Sequence, residues 1–138
     1  MFNFGKKRDI KIGELGEKLA GKYLKKKGYK IIEFNFQNKK GRRLGEIDII
    51  AKTKNKIGGS YKIVFVEVKT RIVKAGENNI LPEENITRQK MWKLQKIAQV
   101  YIKENGLWDF AYGFDAVTVI LDVNRQSAKI KHFKDIFF

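Results

Sequence analysis

The stretch YKIVFVEVKTR, residues 61–71, constrains the fold of this chain more than any other. In an extended strand, successive side chains point to opposite faces. Ile63, Phe65, Glu67 and Lys69 therefore share one face, and Val64, Val66 and Val68 share the other. Both faces are largely apolar, which predicts a strand near the centre of its sheet. Glu67 and Lys69 interrupt that pattern. Burying a charge costs several kcal/mol unless it is paired or binds a metal, so an acid and a base at this position need a reason.

The flanking segments supply the rest of a sheet. Ile12, Leu15, Leu19 and Tyr23 recur at helical spacing, and Gly28 is a suitable helix-ending residue. YKIIEFNF reads as a strand, QNKKGRRLG as a basic turn, and GEIDIIAKT as a second strand. KNKIGGS carries a Gly-Gly turn signal, predicting a hairpin into residues 61–71. A polar segment, 72–82, holds the single proline, Pro82. A long helix follows, with Ile86, Leu94, Ile97, Val100 and Tyr101 on an apolar side that Lys90 interrupts, ending near Asn105-Gly106. GFDAVTVILD is a fourth strand, and AKIKHFKDIFF a fifth strand or short helix. The predicted order is α-β-β-β-α-β-β in one domain, 1–138, with residues 1–9 as a loose basic arm.

Charge narrows the partners. Thirty Lys and Arg against 15 Asp and Glu leave a net charge of +15, which favours a polyanion, nucleic acid first and an anionic membrane surface second. Lysine supplies 24 of the 30 cations, which suits phosphate contact better than bidentate base reading. The absence of cysteine excludes disulfides, zinc-thiolate sites and thiol catalysis. The single histidine, His132, rules out a His-rich metal site and is expected at the surface or a strand end. No apolar run is long enough for a membrane span, and the N-terminal apolar stretch is too short for a signal peptide, so a soluble cytoplasmic protein is expected.

A second strand bears on the Glu67–Lys69 question. Alternation places Glu46, Asp48 and Ile50 on one face and Ile47 and Ile49 on the other. If the two strands form a hairpin, Asp48 and Glu67 meet on one surface. Two crowded carboxylates repel each other, and a divalent cation relieves the repulsion, carboxylate oxygen being a ligand that Mg²⁺ favours. Lys69 beside such an ion can act on a water or on charge building at a phosphate. The acid-x-base triplet is weak by itself: composition predicts about three by chance, and Asp9-x-Lys11 is another instance. A plain Glu67–Lys69 salt bridge is the alternative. The central strand, the acids one hairpin away and the basic surface set this triplet apart.

GEIDIIA followed by VFVEVKTR resembles the D-x(n)-E-x-K signature of the restriction-endonuclease-like, PD-(D/E)xK, superfamily. The likeness is closer to the bacterial YraN-like family of predicted nucleases, which is similar in fold to archaeal Holliday junction resolvases. It covers nearly the whole chain. Gly13, Gly16, Glu17, Ala20, Tyr23, Leu24 and Gly28 match that family's first helix, Asn35 its first strand and Lys90 its second helix. The late Arg-Phe-Asp pattern reads Gly113-Phe114-Asp115 here, a departure at the arginine. The resemblance implies a mixed α/β sheet flanked by helices, with Asp48 and Glu67 as metal ligands, Lys69 as the catalytic lysine and Glu17 as the helix acid of the site. Glu46 is either an outer acid of the site or a cap on the basic loop Lys39-Lys40-Arg42-Arg43.

The expected activity is Mg²⁺-dependent hydrolysis of DNA phosphodiester bonds, with Mn²⁺ as a substitute ion and branched or structured DNA as substrate. The alternative is a non-catalytic nucleic-acid-binding protein on a nuclease fold. Lys39, Lys40, Arg42, Arg43, Arg71 and Lys90 are the expected nucleic-acid contacts. The resolvase likeness also implies a homodimer. Phe2, Phe4, Phe133, Phe137 and Phe138 are candidates for its interface, and equally for closing the core.

Overall fold

Val, Ile and Phe pack well on a pleated surface, and runs of them build this chain's sheet. A computed structural model describes residues 8–136 except 40, 55–58, 74–86 and 123. Its elements are α1 (Arg8–Lys26), β1 (Lys30–Gln37), β2 (Glu46–Lys54), β3 (Tyr61–Val73), α2 (Arg88–Glu104), β4 (Ala111–Asp122) and β5 (Ser127–Phe133). The order is the predicted α-β-β-β-α-β-β. In the sheet the strands run β1-β2-β3-β4-β5, with β3 in the middle. β1–β2, β2–β3 and β4–β5 are antiparallel. β3 and β4 pair in parallel, so the chain crosses over between them, and that connection contains α2.

One helix covers each face of the sheet. On the α2 face, Ile63 and Phe65 pack with Phe36, Leu94, Ile97 and Tyr101. Phe65 lies at the centre of this layer, its ring 5.9 Å from Tyr101 and 5.5 Å from Phe114. On the α1 face, Val64 and Val66 pack with Leu24, Ile49, Val117 and Val119. The alternation read from residues 63–66 of β3 is thus realised in full. Thr87 caps α2, its side chain accepting from the Lys90 N–H at 3.1 Å.

The first helix departs from expectation in two ways. Arg8 and Asp9 belong to α1 rather than to a loose arm, so Asp9-x-Lys11 is a helical segment. The centre of the packed face is Gly16, Ala20 and Leu24, while Ile12, Leu15, Leu19 and Tyr23 are partly buried beside it. The reason is close approach to the sheet. A Cβ on Gly16 would lie 1.8 Å from Thr70 Oγ1 of β3, so only glycine lets the helix axis come this near. Periodicity scores large apolar residues and passes over a face built from small ones.

The C-terminal region settles two alternatives. It is strand β5, the first of the two forms expected, and His132 stands at the end of that strand and not at the surface, its side chain 4% exposed. His132 Nε2 lies 2.7 Å from Asp115 Oδ2, the Tyr29 hydroxyl donates to the same oxygen at 3.0 Å, and the Asp135 N–H donates to Oδ1 at 3.0 Å. Burial pushes the Asp115 carboxyl up, but these hydrogen bonds and the His132 charge outweigh it and hold it below its ordinary value. Asp115 therefore ties the α1–β1 turn, β4 and β5 together.

Residues 72–73, expected in a polar connection, extend β3. Ile86, Pro82, residues 55–58 of the expected turn, Phe2, Phe4, Phe137 and Phe138 lie outside the described residues.

Candidate metal and nucleic-acid site

Alternation in β2 breaks at Asp48. Ile47 and Ile50 both pack on the α2 face, and Ile49 packs on the α1 face. This corrects the pairing of Ile47 with Ile49. The register with β3 runs from Lys54↔Tyr61 to Ile49↔Val66 and is not continued at Asp48. There the Asp48 carboxylate replaces a ladder partner: the Val68 N–H donates to Asp48 Oδ2 at 2.8 Å. A side chain pinned to the neighbouring backbone fixes an acid between the two strands.

Strand β1 carries a matching irregularity. Asn35 has φ 55°, the left-handed conformation that asparagine tolerates better than most residues. Its amide donates to Glu17 Oε1 at 3.0 Å and to Glu46 Oε1 at 3.2 Å. Gln37 Nε2 donates to Glu46 Oε2 at 2.9 Å. Glu46 therefore turns into the site and does not cap the basic loop. In that loop Asn38 does the holding, donating to the Arg42 carbonyl at 2.8 Å and accepting from the Leu44 N–H at 3.0 Å.

Glu17, Glu46 and Asp48 each offer a carboxylate oxygen, and these oxygens lie within 4.8 Å of one another. Glu17 stands next to Gly16, so the close approach of α1 to β3 delivers it to the sheet. Glu67 joins through Asp48. Burial, then the Glu67 charge, push the Asp48 carboxyl up to about 8, with Glu67 also acting as its hydrogen-bond partner; the Val68 N–H opposes the shift. Glu17 is raised as well, first by burial and then by Glu46, Glu14 and Glu67, against the Asn35 hydrogen bond. Four carboxyl groups from α1, β2 and β3 thus crowd one end of the sheet.

Glu67 is 7% exposed, and its ion-pair partner is Lys90 of α2 rather than Lys69. Lys90, an expected nucleic-acid contact, here crosses from the helix to the acid. Lys69 is partly buried on β3, opposite Thr118 of β4. Lys39, Arg42 and Arg43 are exposed in the β1–β2 loop, and Lys40 lies outside the described residues. Arg71 is partly buried farther along β3, opposite Ile120 of β4. Beside Glu46 and Lys90 a cleft of about 370 Å³ opens between the β1–β2 loop and the start of α2, with Lys93 and Gln89 on its wall.

Sequence reasoning missed the bridging role of Asn35 and the partner of Glu67. An asparagine inside the strand EFNFQ, where it is disfavoured, was the available signal for the first. No local pattern announces the second, because Lys90 and Glu67 meet only through the crossover. The departure at Gly113 also gains an account. A Cβ there would lie 2.9 Å from Lys62 Cε, so the Lys62 side chain passes over Gly113, and it ion-pairs with Asp135. A base from β3 thus lies beside the position where the YraN-like pattern has an arginine.

The residues present fit a divalent cation. The donors are carboxylate oxygens, and an ion held at about 2.1 Å needs its ligands within about 4.2 Å of one another, a small closure from the present arrangement. A cation would also offset the burial and the Glu67 repulsion that together raise the Asp48 carboxyl.

A UPF0102 protein of Caldanaerobacter subterraneus subsp. tengcongensis is 42% identical over 127 residues, 91% of this chain and 93% of the relative. One from Alkaliphilus metalliredigens is 41% identical over 118 residues, 83% and 90% of the two chains. One from Clostridium botulinum (strain Loch Maree) is 42% identical over 127 residues, again 91% and 93%. The model of uncharacterised protein family UPF0102 matches residues 16–119, a span that holds Glu17, Asn35, Glu46, Asp48, Glu67, Lys69 and Lys90. The chain belongs to the UPF0102 family, the YraN-like family that its motifs resemble.

Proposed function

We propose that this protein is a Mg²⁺-dependent endodeoxyribonuclease that accepts Mn²⁺ and acts on branched or structured DNA. The observation that carries the reading is the crowding of Glu17, Glu46, Asp48 and Glu67, with Asp48 pushed up to about 8. Acids that destabilise one another are retained where a function uses them. Glu17, Glu46, Asp48 and Glu67 would hold the cation. When bound, a divalent cation supplies Lewis-acid charge beside a scissile phosphate. Asn35 and Gln37 orient Glu17 and Glu46 through their amides. Lys69, two residues from Glu67 on a rigid central strand, stabilises charge developing on the phosphate or orients the attacking water. Lys90 holds Glu67 in an ion pair, and with a cation on Glu67 its ammonium would be available to the DNA. The exposed cations Lys39, Arg42 and Arg43 contact the backbone, with Lys40 and Arg71. The branched substrate and a homodimer rest on the resolvase likeness.

A second reading, a binding protein without cleavage, is favoured by one contact: Lys90 already neutralises Glu67 without a metal. The two separate on one assay. Supercoiled, single-stranded and four-way-junction DNA are incubated with the protein, with Mg²⁺, Mn²⁺ or chelator. The enzyme reading expects cleavage of at least one substrate that chelator abolishes. Binding to all three with no metal-dependent product would overturn it.

A further inference from the structure

The far end of α2 carries a surface that the acid site leaves unexplained. Trp108 is 67% exposed, Tyr61 48%, Tyr112 47% and Phe110 37%. Two clefts meet there. One, of about 520 Å³, is lined by Lys30, Lys52, Tyr61, Tyr101 and Phe110 among others. The other, of about 230 Å³, is lined by Gln99, Trp108, Phe110 and Tyr112. They share Leu107 and Phe110 as a common wall. No carboxylate lines either cleft among the described residues. The Lys52 ammonium lies 4.6 Å from the centre of the Tyr61 ring. Phe65, fixed in the core, meets Tyr112 edge-on at 6.0 Å and braces it from beneath.

We propose that this surface binds single-stranded nucleic acid by stacking unpaired bases on Trp108, Phe110 and Tyr112, with Lys30 and Lys52 on the phosphates. Exposed aromatics with lysines in the adjoining cleft are what a strand with free base faces requires, and stacking of this kind tolerates any sequence. A duplex keeps its base faces stacked and would leave the aromatics in water. A second copy of this chain is the other candidate occupant. It would bring the Lys30 and Lys52 pairs of two chains of charge +15 together across the aromatic surface, whereas a polyphosphate is complementary. The surface is distinct from the acid cluster: from Lys90 to Asn105 the α2 axis runs about 22 Å. The inference rests on the nucleic-acid partner of the proposed function and not on cleavage, so its test is made in chelator.

The chain has two tryptophans, and Trp92→Phe leaves Trp108 as the single reporter. That variant is titrated at fixed low salt with oligothymidylate of about 12 nucleotides, within the site sizes such folds use. An abasic oligomer of the same length and a blunt duplex are run beside it. Oligothymidylate should quench Trp108, and the abasic oligomer should not. Trp108→Ala and Phe110→Ala in the otherwise unchanged protein should each weaken binding of labelled oligothymidylate about tenfold or more. Binding of the duplex should stay within about twofold. Equal quenching by the abasic oligomer, or alanine variants that bind oligothymidylate as the parent does, would overturn the proposal. A dimer seen by sedimentation that Trp108→Ala dissociates, with oligothymidylate binding unchanged, would give the surface to self-association instead. Loss of cleavage in the acid site would move none of these readings.

Discussion

Lys69→Met protein is expected to bind DNA within about twofold of the wild type and to cleave it roughly 10²-fold more slowly, the loss typical of one positioned acid–base or electrostatic group. The substitution keeps most of the aliphatic stem and deletes the charge. As one point charge among 30 Lys and Arg, Lys69 contributes little to phosphate binding. In the proposed mechanism it would act on charge that exists only in the transition state, so its removal should lower turnover and spare affinity. Glu67 is already paired with Lys90, so Lys69 is not needed to neutralise it. Rates and affinities are compared at matched salt. A variant that cuts as fast as the wild type would remove Lys69 from the mechanism.

Asp48→Asn is expected to bind Mn²⁺ at least about tenfold more weakly than the wild type, a direct ligand costing no less than an outer one. It should also lose a pH dependence. Asp48 is raised from its ordinary 3.8 to about 8, first by burial and then by Glu67. Between those values the folded state holds a proton that the unfolded state has lost. The resulting stability is fully present below about pH 4 and declines as pH rises through about 8. Without metal, the wild type should therefore lose stability across that range more steeply than Asp48→Asn, which keeps the neutral shape. Mn²⁺ displaces the proton, so wild-type binding should tighten with pH up to about 8 and release a proton to the buffer. Calorimetry in two buffers of different ionisation enthalpy reads both effects. Equal affinity in the two proteins, with no proton release from either, would contradict the assignment.

The residues of the candidate site are unequally visible in the sequence. Asp48, Glu67 and Lys69 stand out because they break apolar strands, and a charge in such a strand is conspicuous against its neighbours. The hairpin and the central place of β3 follow from the same alternation. Glu46 is ambiguous because its strand is regular on paper; the break at Asp48, made by its own carboxylate on the Val68 N–H, is a tertiary event. Glu17 lies beside a stripe whose true centre is Gly16 and Ala20, small residues that give a weak hydropathy signal. Lys90 and Glu67 lie 23 residues apart on either side of a crossover, and His132 finds Asp115 across two strands. Both pairs depend on long-range packing, which neither periodicity nor spacing encodes.

Anomalous scattering from crystals soaked in Mn²⁺ locates the ion and so decides whether the acid cluster is a metal site. One strong peak is expected within coordination distance, about 2.1 Å, of carboxylate oxygens of Asp48 and Glu67, with Glu17 and Glu46 around it and Lys90 drawn off Glu67. A peak elsewhere, or none at saturating Mn²⁺ with the Lys90–Glu67 ion pair intact, would contradict the metal assignment.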